Sequence, residues 1–131
     1  MSVVRALSLS LLTAIPALAL AAPALPQAMK GAGLWEVSRS ASGAAAQRLC
    51  VADPALLAQW EHRTAACTRV VISAGSDRAE IHYTCPGGGF GRSKVQVLTP
   101  RTLRIDTQGI SGGYPFAYVL HARRAGPCPR R

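Results

Sequence analysis

The chain has 131 residues, a formal net charge of +9 and aromatic residues at only 5%. This length fits one domain with a thin core and excludes a multidomain architecture. The scarcity of aromatic residues argues against the stacking platforms that bind single-stranded nucleic acid, so we expect no nucleic-acid partner.

Residues 1–21 have the organisation of a signal peptide. An apolar run with hydroxyl residues, 6–14, follows one cation, and small residues come next. The small-x-small rule predicts cleavage after Ala21, with a site after Ala19 as the alternative. Because Pro16 interrupts the one stretch that is apolar enough to cross a bilayer, a cleaved signal is favoured over a membrane anchor. We therefore expect an exported, periplasmic protein that does not span the membrane.

The remaining chain divides by composition. Residues 22–32 are rich in Ala, Pro and Gly, which predicts a disordered lead. Residues 33–128 are expected to form a single β-rich domain, and residues 129–131 a loose basic tail. Arg5 is the only charged residue of the signal, so the mature protein keeps a charge of +8.

The domain begins with a predicted hairpin and a short helix. Trp35 and Val37 alternate onto one face of a first strand, Ser42-Gly43 indicates a turn, and residues 45–51 return as a second strand. A helix is then predicted over Pro54–His62, because Asp before Pro is typical of a helix start and apolar residues follow at helical spacing.

Residues 67–85 predict a second hairpin with a defined register. Gly75-Ser76-Asp77 is a turn signal, and folding there pairs residues whose numbers sum to 152. Directly opposed residues of an antiparallel pair bring their side chains close. This register predicts three opposed pairs: Val71 with Ile81, Arg69 with Tyr83, and Cys67 with Cys85.

A third hairpin and a last strand complete the expected sheet. A turn at Pro100 places Val95 and Val97 opposite Ile105 and Leu103. Residues 108–113 are predicted to be a glycine loop, and residues 114–122 a strand with Phe116, Tyr118 and Leu120 on one face. The fold class is therefore mainly β (α+β): a curved antiparallel meander of about six strands with one short helix, braced by disulfides.

Four cysteines in an exported chain predict two disulfides. The hairpin register favours Cys67–Cys85, which leaves Cys50–Cys128, whereas a Cys50–Cys67 bond across the helix is the rival pairing. A metal site is not expected, because the sequence has no Cys-x-x-Cys pair and no His pair at zinc spacing. The missing Cys-x-x-Cys motif also argues against redox catalysis.

The glycine-rich stretch at residues 85–94, CPGGGFGRSK, invites comparison with a phosphate-binding loop. A Walker loop requires Gly, four residues and then Gly-Lys-Ser/Thr at the start of a helix. Here Arg92 follows Gly91 and a strand follows the glycines, so no helix N-terminus faces an anion. We interpret the stretch as a flexible joint between two hairpins, and we expect no cofactor.

Several motifs occur together in a familiar order. They are GLWE at 33–36, a cysteine before a short Asp-Pro helix, Cys85-Pro86-Gly87-Gly88, and a closing RRAGPC at 123–128. Over residues 31 to 128 the chain resembles the small exported Gram-negative proteins of domain-of-unknown-function family 3617. The resemblance implies an envelope location, paired cysteines and a β-rich fold, and it implies no activity. The chain differs from the family picture in carrying Arg and Lys in its central strands.

The function favoured by these observations is a non-catalytic binding or accessory protein of the cell envelope. Its expected partner is an anionic envelope lipid or a small apolar ligand, and the sequence does not define an oligomeric state. The candidate binding residues are Trp35, Tyr83, Phe116, Tyr118, Arg69 and Arg104. No catalytic residue is assigned, because no nucleophile motif occurs. The alternative, a small periplasmic hydrolase or other enzyme, requires His82 or His121 beside a carboxylate in a cleft.

Overall fold

The computed structural model describes residues 14–21 and 23–130. The predicted signal peptide therefore falls mostly on residues 1–13, which lie outside the described residues, as does residue 131 of the predicted basic tail. Among the described residues, no helix has the length and apolar character needed to cross a bilayer.

Seven antiparallel strands form one open sheet, which confirms the predicted fold class. In chain order they are β1 (Gly33–Ser38), β2 (Gln47–Val51), β3 (Thr68–Ala74), β4 (Arg78–Thr84), β5 (Phe90–Thr99), β6 (Thr102–Ser111) and β7 (Tyr114–Gly126). Their spatial order is β2-β1-β7-β6-β5-β4-β3. Strands β3 to β7 form a meander, and the β1–β2 hairpin joins its far side by pairing β1 with β7.

The predicted helix occupies Pro54–His62 and has 3-10 character. The Asp53 side chain caps it by accepting a hydrogen bond from the Ala55 amide at 3.0 Å. Leu57 and Trp60 are buried between the helix and the sheet, as their spacing predicts. Ser93 of β5 donates to the Ala58 carbonyl and thereby ties the helix to the centre of the sheet.

The core lies between this helix and one face of the sheet. Its largest apolar members on the strands are Trp35, Val37, Val51, Ile81, Val95, Leu103, Ile105 and Leu120. Alternate residues of the same strands point to the opposite face, as the two-residue period of a strand requires. We call the helix-covered side the inner face and the opposite side the outer face.

Both predicted disulfides are present, and the rival Cys50–Cys67 pairing is wrong. Cys67–Cys85 closes the β3–β4 hairpin, and Cys50–Cys128 joins β2 to the C-terminal segment. The predicted register holds for Arg69 with Tyr83 and for Val71 with Ile81, and it shifts by one residue beyond Val71 at a bulge. Two disulfides are typical of a protein that folds in an oxidising compartment outside the cytosol.

The lead before the domain is more ordered than its composition predicts. Gln27–Met29 form one turn of 3-10 helix, and Met29 is buried in the core. The Arg124 guanidinium donates hydrogen bonds to the carbonyls of Lys30, Gly31 and Ala32. Burial of Met29 and these hydrogen bonds offset the conformational entropy that a Pro- and Gly-rich segment loses on ordering.

The predicted glycine loop at residues 108–113 is wrong for its first four residues. Strand β6 continues to Ser111, and the reversal is confined to Gly112-Gly113, both with positive φ. Gly109 belongs inside the strand, because a Cβ there would lie 2.1 Å from the Phe90 carbonyl oxygen. The sequence signal of a glycine marks close packing at this position rather than a loop.

Candidate functional site

Charged side chains are concentrated on the outer face of the sheet. We define the basic face as the cations Arg48, Arg92, Lys94, Arg104 and Arg123 with the three carboxylates Glu36, Glu80 and Asp106. These residues come from β2, β1, β7, β6, β5 and β4, so the charge extends across six neighbouring strands. Five cations against three carboxylates leave this face net positive.

Glu36 on β1 lies between two arginines of the neighbouring strands. Its carboxylate is 2.7 Å from Arg123 and 3.4 Å from Arg48, and both arginines are directly opposite it in the register. The hydrogen bond from Arg123 lowers the pKa of the Glu36 carboxyl, and the charges of Arg123 and Arg48 act in the same direction. The three residues form an ionised cluster with a net charge of +1.

A second cluster lies on β4 and β5. The His82 Nε2 is 2.9 Å from the Glu80 carboxylate, and the Arg92 guanidinium is 3.8 Å from it. The hydrogen bond from His82 lowers the pKa of the Glu80 carboxyl, assisted by the charge of Arg92. His82 is the histidine that an enzyme would use beside a carboxylate, but it stands on the open outer face and its side chain is 45% exposed.

Two rows of residues cross the centre of the basic face. One row is Arg92, Gln108 and Ala117, and the next is Lys94, Asp106 and Val119, each aligned across β5, β6 and β7. Long cationic side chains on β5 and small apolar ones on β7 leave a shallow depression of about 460 Å³ between them. Its lining combines two cations with Gln108 and the Asp106 carboxylate of the middle strand and with the small side chains of β7.

The inner face carries an aromatic cluster at the end of the helix. His62, the last residue of the helix, places its Nδ1 3.1 Å from the Tyr83 hydroxyl. Phe116 lies 5.9 Å from the same imidazole, and Tyr118 lies 5.7 Å from Phe116, both measured between ring centroids. Edge-to-face and tilted contacts of this kind stabilise aromatic clusters.

Three glycines make room for these rings. A Cβ on Gly89 would lie 2.4 Å from the His62 imidazole, and one on Gly91 would lie 2.5 Å from the Tyr83 hydroxyl. Gly109 has the Phe116 ring at 3.0 Å from its Cβ position. Residues 89 and 91 therefore lack side chains because aromatic side chains occupy that space. The glycines after Cys85 that resemble a phosphate loop are partly a packing device.

Tyr118 connects the cluster to charged groups. Its hydroxyl donates a hydrogen bond of 2.7 Å to the Glu61 carboxylate, and the Arg39 guanidinium lies 3.5 Å from its ring centroid. Burial, together with the bond to Glu61, raises the pKa of the Tyr118 phenol. Burial likewise raises the pKa of Tyr83 to about 12. Both phenols stay protonated at neutral pH and act as hydrogen-bonding groups.

The space beside Tyr118 is small and polar. A cavity of about 170 Å³ lies between the β1–β2 hairpin and the helix, and its lining includes Arg39, Glu61 and Arg63. Ligand pockets in proteins are usually about 300–1,000 Å³ and mostly apolar. This cavity is therefore a poor match for the small apolar ligand that the sequence suggests.

Of the sequence-predicted aromatic residues, the structure brings three together. Tyr83, Phe116 and Tyr118 share the inner-face cluster, whereas Trp35 is fully buried in the core. The indole of Trp35 is covered by Arg124, whose guanidinium lies 4.8 Å from its ring. Sequence reasoning missed His62 as the residue that links the cluster. The signal that indicates it is the pair of glycines at alternate positions, Gly89 just before β5 and Gly91 within it.

The two predicted arginines lie on different faces. Arg69 donates hydrogen bonds to Gln59 at 2.6 Å and to Asp53 at 3.1 Å. Asp53 caps the start of the helix and Gln59 lies at a kink in its middle, so Arg69 fastens both places to β3. Arg104 lies on the basic face and is paired with Asp106. His121, the other histidine of the enzyme hypothesis, is opposite Arg104 in the register.

Among the described residues, no group of three or more His, Cys, Asp and Glu side chains is close enough to hold a metal ion. No family model, curated protein or solved structure matches this chain. The chemical evidence for a function is therefore the distribution of charged and aromatic side chains over the two faces of the sheet.

Proposed function

We propose that this protein is an exported, non-catalytic binding protein of the cell envelope whose basic face binds the head groups of anionic lipids. The observation that carries the proposal is the depression between Arg92 and Lys94 on one side and Ala117 and Val119 on the other. The envelope location is supported by the disulfides and by the resemblance to family 3617.

The chemistry of the depression suits a phosphate group better than an apolar molecule. Lys94 supplies a compact, rotatable ammonium, and Arg92 supplies a planar guanidinium that matches two phosphate oxygens. The small side chains of Ala117 and Val119 allow a head group to approach the sheet. The depression is shallow and open, so it favours a ligand that is presented on a surface.

The neighbouring carboxylates reduce the positive charge of this site without cancelling it. Asp106 is paired with Arg104, and Glu80 lies between His82 and Arg92, so Arg92, Lys94 and Arg104 together exceed the two carboxylates by one charge. Attraction of this kind is long-ranged at low ionic strength and is screened within about 8 Å at physiological salt. Binding through the basic face is therefore expected to weaken steeply as salt is added.

The test is co-sedimentation of the oxidised, mature protein with large vesicles. Vesicles that contain phosphatidylglycerol should retain it, whereas vesicles of phosphatidylcholine alone should not. The Lys94→Glu variant should weaken retention by about tenfold or more, since one cation near an anionic surface contributes about 1 kcal/mol and the reversal changes two charges.

The matched control is Arg101→Glu, which makes the same change in net charge at an exposed turn between β5 and β6. It should bind vesicles nearly as well as the wild type. Equal losses for the two variants, or retention that does not depend on salt, would contradict a site on the basic face. Displacement by millimolar glycerol phosphate would show that a free phosphate, rather than a lipid surface, is the ligand.

A further inference from the structure

An apolar strip surrounds Leu98 near the end of β5. Leu98 is 53% exposed although it is a large aliphatic residue in an ordered strand. The β5–β6 register shifts between Val97 and Thr99, so Leu98 sits at an irregularity of the ladder. Such irregularities redirect a side chain relative to its neighbours. The exposure of Leu98 is thus built into the backbone.

Two cavities have Leu98 in their lining. One, of about 250 Å³, also has Ala41, Ala46 and Thr102 in its lining. The other, of about 440 Å³, lies among Ala28, Val97, Thr99 and Pro100. The combined volume of the two cavities is within the range of about 300–1,000 Å³ that is usual for ligand sites.

The two cavities differ in charge. The first ends at the cluster of Glu36 and Arg123, with His121 beside it. Glu36 and Arg123 are paired at this end, and Arg48, which contacts Glu36 but does not line the cavity, brings the cluster to a net charge of +1. The described residues that line the second cavity include no charged side chain. The strip therefore has a cluster of net positive charge at one end, and the rest of its lining is uncharged and mostly apolar.

We infer that this strip binds a single-chain anionic amphiphile, with its carboxylate at Arg123 and its alkyl chain crossing Leu98 toward Pro100. A guanidinium at one end selects a carboxylate or a phosphate. The alkyl chain removes the exposed side chain of Leu98 from water, and burial of apolar surface drives this part of the binding. The site goes beyond the proposed head-group site, because it uses neither Lys94 nor the depression beside it.

A strip with positive charge at one end and apolar surface along the rest should bind an anionic amphiphile more tightly than related molecules. A neutral alcohol of the same chain length would gain from Leu98 but not from Arg123. A cationic amphiphile would be repelled at the same end. A short carboxylic acid would lack the apolar contact. These molecules form a natural comparison series.

The experiment is isothermal titration calorimetry of the oxidised, mature protein with monomeric dodecanoate. Dodecanoate should bind at least about tenfold more tightly than dodecanol, dodecyltrimethylammonium or acetate. Leu98→Asp should weaken dodecanoate binding by about tenfold or more, since covering a leucine side chain contributes about that factor. Arg123→Gln should remove most of the preference for dodecanoate over dodecanol.

Val70→Asp is the matched control, because Val70 is 54% exposed and lies on β3, at the opposite edge of the sheet from β2. It should leave dodecanoate affinity within about twofold of the wild type. If Leu98→Asp does not fold, Leu98→Ala takes its place, and we expect it to lose less dodecanoate affinity. Equal losses for Leu98→Asp and Val70→Asp, or equal affinity for dodecanoate and the cationic amphiphile, would overturn the inference. Vesicle retention that depends on Lys94 would be unaffected by either result.

Discussion

The imidazole of His62 lies edge-on to the phenol of Tyr83, with the ring centroids 5.5 Å apart and Nδ1 3.1 Å from the hydroxyl oxygen. This contact joins the end of the helix to β4, and Gly89 before β5 and Gly91 within it leave the space that the two rings occupy. The helix is thereby fixed at both ends, since Arg69 holds its start.

Replacing Gly91 with alanine should destabilise the protein. The new methyl group would meet the buried Tyr83 side chain at 2.5 to 2.7 Å, which is closer than van der Waals contact allows. Overpacking of this kind costs about 1–3 kcal/mol in unfolding free energy, measurable by urea denaturation. Gly75→Ala is the control, because its nearest contact is at an ordinary 3.8 Å. Equal stability of the two variants would contradict the packing role of Gly91.

Tyr83 should make stability fall at high pH. Burial raises its pKa from the ordinary 10.0 to about 12, so the folded state holds this proton more tightly than the unfolded state. The contribution is complete below pH 10 and is lost as pH rises from about 10 to about 12. Urea denaturation at several pH values should show a steeper decline for the wild type than for Tyr83→Phe, by about 2 kcal/mol across this window. Parallel declines for the two proteins would show that Tyr83 titrates alike in both states.

The two disulfides should contribute unequally to stability. Cys50–Cys128 closes a separation of 78 residues and Cys67–Cys85 one of 18. Loop entropy then gives about 4.5 kcal/mol for the longer bridge and about 3 kcal/mol for the shorter one. Paired Cys→Ser variants, compared by urea denaturation, should follow this order. A larger loss from the Cys67/Cys85 pair would indicate that native contacts, rather than loop length, decide.

Arg124 should control the order of the lead. Arg124→Leu removes the hydrogen bonds to the carbonyls of residues 30–32 while keeping an apolar cover for Trp35. Trypsin should then cut after Lys30 several-fold faster, because cleavage follows the population of the open segment. Arg123→Leu, one residue away on the outer face, should not accelerate this cut. Equal rates for wild type and Arg124→Leu would show that the buried side chains of the lead, Pro26 and Met29, hold it without Arg124.

Most of the sheet could be predicted from the sequence because the strands and their register are determined by residues close together in the chain. Strand alternation and short turns define the hairpin register, and so the pairing of Cys67 with Cys85 follows from the turn at Gly75. The predicted facing pairs of the β5–β6 hairpin, Val95 with Ile105 among them, are also confirmed. These features depend only on residues within one hairpin.

The features that sequence reasoning missed depend on contacts between distant segments. The lead is ordered by Arg124, about 90 positions away, and Gly109 is strand because of the backbone of Phe90. Alternation identifies which residues share a face of a strand, but it does not say which face the helix covers. The sequence therefore predicts both Trp35 and Arg104 as binding residues, although Trp35 lies in the core and Arg104 on the basic face.

The strand order imposes a sequence of events on a chain that emerges N-terminus first. Strand β1 lies between β2 and β7, so the opening hairpin cannot dock until the final strand has appeared. Cys50 and Cys67 become available before their native partners, and an early bond between them would be a trap. If oxidation is slower than chain emergence this bond is avoided, and if it forms, thiol–disulfide exchange must break it before the native pairs can close.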